Sequence, residues 1–341
     1  GRKNIVTNGA MQIAQRATST TGIGAADNVF PCVDRMKVRA GSTAGRATVS
    51  QAADGPSGFA NCLKFDCTTA DASIAAGEYF FLTNIFEGQD LQQLKKGTSD
   101  AESVTISFYV KGDQAATYTL ELKDQDNSRI NTQTFAVTTS WNKISLTFIP
   151  DTTGAYDDDN LASLQVNWHL HAGSTYTGGT FASNTWASEV QANRVSSSAT
   201  SFLDSTNRTF FITGIQMEVG TVATPFEHRS YGQELALCSR YYTDIVRADN
   251  KTAHLIGYVQ TSTVARFGFH IPMRTSPSIT ETNFNILYAG GSEQAITSID
   301  DISQDNQFLS FRANVAANLT SGQAVALHSD GAATLTFDAE L

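Results

Sequence analysis

The chain has 341 residues, 41% of them hydrophobic, and carries 23 Lys and Arg against 33 Asp and Glu, a formal net charge of −10. That length suits about two domains with a sizeable core, while the acidic balance argues against nucleic acid or an anionic membrane as partner, because phosphate binding relies on dense positive charge. No apolar run reaches the roughly 18 residues of a membrane span, and the opening GRKNIVTNGAMQ lacks an apolar signal core.

Gly1 in place of Met points to a removed tag or an absent upstream segment. Small polar residues crowd the sequence, as expected of many short strands joined by turns. The cysteines Cys32, Cys62, Cys67 and Cys238 fit no zinc spacing, and Cys62 and Cys67 fall on opposite sides of a strand, so all four read as small buried side chains. A short helix is predicted from Asp90 to Lys96, ended by Gly97. SVTISFYVK then places Val104, Ile106, Phe108 and Val110 on one strand face. The alternation repeats at Tyr118, Leu120 and Leu122, at Phe135 and Val137, and at Ile144, Leu146 and Phe148. Val166, Trp168 and Leu170 continue it, and Phe211, Thr213, Ile215, Met217 and Val219 close the series. Turn-forming pairs such as Asp126-Asn127 and Pro150-Asp151 separate the runs. Residues 1–229 are therefore predicted to be an antiparallel jelly-roll β-sandwich.

Gly220 and Pro225 break the last strand, and Ser230 with Gln233 reads as a capping box opening a helix. Tyr231, Leu235, Cys238 and Tyr242 recur at helical spacing, giving residues 230–243 one apolar stripe suited to a domain or subunit seam. Residues 244–341 alternate again at Phe267, Phe269 and Ile271, at Val325 and Leu327, and at Leu335 and Phe337, a second and smaller β domain. The fold class is all-β.

Four features could carry function. Trp168-His169-Leu170-His171 places His169 and His171 together on the outer strand face, where they could line a glycan groove with Tyr176 and Trp186, or stand as plain solvated histidines. A zinc site is disfavoured, since no third ligand is spaced to join them. Trp186 lies in the polar stretch 173–201, where no strand or helix pattern demands its burial. Asp157, Asp158 and Asp159 could hold calcium, or simply solubilise their loop. Hydrolytic chemistry finds no support: no carboxylate sits in a setting that marks a raised pKa, and there is no G-x-S-x-G elbow or phosphate-cradling glycine loop. No cofactor is predicted.

The stretch from Phe210 to Tyr242, FFITGIQMEVGTVATPFEHRSYGQELALCSRYY, closely resembles a junction of bacteriophage tail-fibre and related virion-appendage proteins, many of them marine, in which TGVQLEVG leads into ATPFEHRSYGEELALCQRYY. NIVTNGAMQIAQR is similar to the opening NLIINGAMQVAQR of these proteins, RFGFHIPMRTSPSIT to their V-x-F-P-V-P-M-R-x-x-P-T-x-T segment, and the closing FDAEL to their ADAEL. The layout also resembles jelly-roll carbohydrate-binding modules. Some of those hold calcium through an acidic pair near the last strand, where this chain has Thr213-Gly214. The resemblance implies a non-enzymatic tail fibre or receptor-binding appendage, located in the virion and assembled in the host cytoplasm, that recognises host cell-surface glycans. It further implies a homotrimer touching other virion proteins, with the 230–243 stripe at a subunit seam. The alternatives are a structural head-fibre, decoration or collar protein and, behind these, a polysaccharide depolymerase.

Overall fold

The computed structural model describes residues 3–247, 253–288, 291–305 and 308–341. The protein is all-β, built from antiparallel sheets, and divides into two compact units: residues 1–234 with Leu341, and residues 235–340.

The first unit is a jelly-roll sandwich. One sheet has six strands in the spatial order Ser19–Ala25, Thr43–Ala52, Cys62–Thr69, Thr209–Val219, Val104–Gly112, Asn142–Phe148. The other has seven: Ala187–Ser188, Arg129–Val137, Ala116–Asp124, Ala162–Ala172, Tyr79–Glu87, Lys37–Gly41, Asn28–Val29. Their inner faces meet in one apolar core, in which edge-to-face aromatic pairs bridge the sheets: Phe108 with Trp168 at 5.7 Å, Phe65 with Phe80 at 6.1 Å and Tyr118 with Phe210 at 5.6 Å between ring centroids. The inward sets expected at Val104–Val110, Tyr118–Leu122 and Val166–Leu170 all lie in that core.

Three expectations change. The segment near Asp90 forms two 3-10 turns, Gly88–Asp90 and Gln92–Leu94, in place of a helix. The closing strand does not keep one face: Phe210 and Ile212 point inward, then Ile215 and Met217, while Phe211 lies outside against Trp141. A bulge between Thr213 and Gln216 inserts the extra residue, and Gly214 supplies the positive φ of 63° there. Third, the helix spans Tyr231–Ser239, so Tyr242 belongs to the following strand, Tyr242–Arg247. The capping box does form, with Gln233 N–H donating to Ser230 Oγ and Ser230 N–H to Gln233 Oε1. Along the proposed stripe, however, Tyr231 is exposed while Cys238 and Tyr242 are buried within the protomer, and the helix turn between them buries Glu234 against Arg229 and the Asn8 N–H. Cys238 and Tyr242 thus offer no surface to another subunit.

The second unit is one eight-stranded antiparallel sheet. The 15-residue strand Ala324–Asp338 runs through its middle, paired with Tyr242–Arg247, Ala253–Thr261 and Ser278–Tyr288. Val325, Leu327, Leu335 and Phe337, expected as two runs, sit on this single strand and share a core with Phe267 and Phe311. None of the four cysteines forms a disulfide, and all are buried. Burial pushes the thiols of Cys32, Cys62 and Cys67 up to about 11, which leaves them protonated and unreactive at neutral pH.

Candidate functional site

The two central strands of the seven-stranded sheet, Ala162–Ala172 and Tyr79–Glu87, are buried on both faces. Their inner face is the sandwich core. Their outer face lies beneath residues 173–201, which are pinned at the sheet margins by Thr175 N–H to Ala76 O, Thr200 N–H to Thr117 O and Phe202 N–H to Leu170 O. Cross-strand partners share a face, so register defines what this covered face carries. One row runs Arg39, Phe81, His169, Thr119; the next runs Lys37, Thr83, Asn167, Glu121.

Polar side chains beneath a cover must find partners, and Glu121 is the hub. It is fully buried and takes two bonds from Arg194, Nε to Oε1 and Nη2 to Oε2, both 2.7 Å. It also accepts from Asn167 Nδ2 at 2.8 Å and from His169 Nε2 at 3.0 Å. Burial alone raises a carboxyl's pKa, but the Arg194 charge and bonds, aided by His169, outweigh it and hold Glu121 well below the usual carboxylate range. Burial likewise pulls His169 below its ordinary 6.5, so the ring is neutral at pH 7, with Glu121 only partly opposing. A carboxylate only accepts, so the His169 proton sits on Nε2 and Nδ1 is left a bare acceptor. That Nδ1 is buried and has no hydrogen-bond partner.

Above this hub is a polar pocket of about 220 Å³, walled by Arg39, Tyr79, Phe81, Lys123, His169, Tyr176, Glu189, Gln191 and Arg194. Tyr79 stands edge-on to Tyr176 at 5.5 Å, and Lys123 pairs with Glu189 at 2.6 Å.

The expected site residues separate here. His169 and Tyr176 do meet in the pocket. His171 does not share the outer face with His169: a bulge in the Ala162–Ala172 strand pairs His169 with Phe81 but His171 with Phe80, a core residue, and so turns His171 away. His171 instead lies between Ser201 Oγ (2.7 Å) and Glu78 (3.3 Å), with Asp71 close by. The ligand atoms of Asp71, Glu78 and His171 lie within 4.8 Å of one another, close enough to share a cation. Hydrogen bonds already engage all three, with Asp71 also taking Thr43 Oγ1–H and Ala44 N–H. The cluster as it stands clamps a loop to the sheet. Among the described residues no such group forms at Asp157, Asp158 and Asp159. That loop is organised instead by the buried Lys96, which bridges Asp124 (2.6 Å) and Asp151 (3.2 Å). Trp186 lies apart from the pocket. It packs on the core beside Lys96, and its indole N–H donates to Ile149 O at 2.8 Å.

Sequence reasoning missed Glu121, Arg194, Arg39 and Tyr79. The alternation of Tyr118, Leu120 and Leu122 does signal that Glu121 faces away from the core, but nothing local says that this far face is covered.

No family model matches the chain, and no curated protein matches it. Among solved structures it is similar to a CBM4 protein at 11% identity, over 63% of this chain and 99% of that one, with a TM-score of 0.32. A family 11 carbohydrate-binding module from Clostridium thermocellum, solved with a mixed-linked β-1,3-1,4 tetrasaccharide, gives 12% identity over 61% and 99%, TM-score 0.29. The enzymatically active domain of tailspike protein 4 of bacteriophage CBA120 gives 12% identity over 63% of this chain and 21% of that one, TM-score 0.31. Likeness at this level assigns no ligand.

Proposed function

We propose that this protein is a non-enzymatic glycan-binding module of a bacteriophage virion appendage, and that the pocket over the seven-stranded sheet is where it binds. One observation carries the reading: a solvent-reachable polar pocket edged by Tyr79 and Tyr176 has His169 in its wall, and the Nδ1 of that ring is a buried acceptor without a partner. Aromatic rims suit the apolar faces of sugar rings, and a bare buried acceptor suits a hydroxyl donor. At about 220 Å³ the pocket is below the roughly 300–1,000 Å³ of typical small-molecule sites, so it fits one sugar residue or a chain end. The virion assignment rests on the sequence of the Phe210–Tyr242 junction.

A glycan array with the full chain, together with host-cell adsorption, tests the reading. Binding that is lost in Tyr176→Ala is expected. Absence of binding to any glycan or host surface would favour a structural head-fibre or collar role, and release of oligosaccharide would favour a depolymerase. We also propose a homotrimer. Ile256, Tyr258 and Phe308 of the second unit are 70, 50 and 54% exposed and line one shallow groove, a better candidate seam than the helix. Light scattering that finds a monomer at micromolar concentration removes the trimer.

A further inference from the structure

The charges around the pocket do not balance. Of its three permanent cations, Arg194 is matched by Glu121 and Lys123 by Glu189. The Arg39 side chain makes no hydrogen bond and no ion pair among the described residues. Its Nε is buried without a partner, and its guanidinium lies over the Phe81 ring, 5.8 Å from the centroid. Arg39 and His169 flank Phe81 in the same cross-strand row, so the unspent Arg39 donors and the bare His169 Nδ1 lie on either side of one ring. With His169 neutral, the wall carries one positive charge more than negative, inside a protein whose formal net charge is −10. A chain this acidic has no general need to keep an unpaired Arg half-buried, and leaving donors of a charged group unsatisfied is costly.

We infer that the pocket takes an acidic sugar, Arg39 receiving its carboxylate or sulfate group and His169 Nδ1 one of its hydroxyls. The inference rests on the glycan-binding reading above and narrows its ligand class. Lys cannot replace Arg at such a site without loss, because the guanidinium offers two parallel N–H donors where an ammonium offers a point charge.

The experiment presents the full chain with four sets of oligosaccharides: neutral, uronic-acid, sialylated and sulfated, with carboxyl-reduced and desulfated partners of each acidic ligand. Binding to acidic members, lost on reduction or desulfation, is expected, and the arm that responds tells carboxylate from sulfate. Arg39→Gln should weaken that binding by about ten- to a hundredfold, the range of a charged hydrogen bond, with an unchanged thermal melt. Arg39→Lys should fall between and serves as the reading if Arg39→Gln does not fold. Binding confined to neutral glycans, or acidic binding indifferent to both variants, overturns the inference and leaves the glycan-binding reading standing. Binding to no glycan at all overturns both.

Discussion

Glu121 shows how much a single buried charge organises. It sits with no exposure and would be untenable there without the two Arg194 bonds and the His169 contact. Glu121→Gln strands the buried Arg194 guanidinium, so a loss of roughly 3–5 kcal/mol of unfolding free energy is expected in denaturant titrations. The same groups set the acid limit. His169 and His171 are held below their ordinary 6.5 by burial, so as pH falls below 6.5 the unfolded chain takes up protons that the folded one refuses, and stability declines. Glu121, held below its ordinary 4.5, extends the decline below that pH, since its contribution is present above 4.5 and lost as pH falls. Melting temperature should therefore fall continuously from pH 7 to 4. A flat profile there would contradict the neutral buried histidines. None of this is legible locally: Arg194 is 73 residues from Glu121, and a lone Glu between Leu120 and Leu122 reads as a solvated strand face.

At the scale of elements, alternation in the sequence gives the inward set only where the strand also stays in register. Val104–Gly112 pairs residue for residue with Asn142–Phe148, and its inward set follows from period two. Thr209–Val219 is bulged between Thr213 and Gln216, and Ala162–Ala172 between His169 and His171 as well as near its start, and beyond the first two of these the inward set changes parity. In the first, Gly214 has φ 63°, and a Cβ there would approach the Phe59 ring to 2.7 Å and the Tyr109 ring to 2.9 Å. Gly214→Ala is expected to cost about 1–3 kcal/mol through backbone strain, read as a lowered melting temperature. An unshifted melt would mean that the bulge relaxes freely. The Thr213-Gly214 pair serves backbone geometry here, with Thr213 Oγ1 donating to Asn61 O. In the helix, the capping box was readable because its bonds are local. Beside the stripe, Glu234, polar by type, finds Arg229 and the Asn8 N–H and is buried, which helical spacing of apolar residues does not reveal.

The whole molecule is two units, each with its own apolar core. Trp141, Trp168 and Trp186 all lie in the first unit, so tryptophan fluorescence follows that unit alone. Calorimetry of the full chain is expected to show two transitions, with the fluorescence melt coinciding with one of them. A single transition seen identically by both probes would show that the units unfold together.

By itself, the sequence determined what depends on neighbours along the chain: the run of strands, most of the residues that face the sandwich core, the turn chemistry, the capped helix and the burial of four cysteines outside any disulfide. These follow from local periodicity and backbone preference, which a reader can count. Only the tertiary structure decided the pocket. Arg39, Tyr79, Glu121, His169, Tyr176 and Arg194 come from distant strands and one covering loop, and the register of antiparallel pairing sets which of the strand residues share a face. Whether a charge there is spent or unspent is a property of its partners, and for Arg39 that property appears only once every other pair has been made.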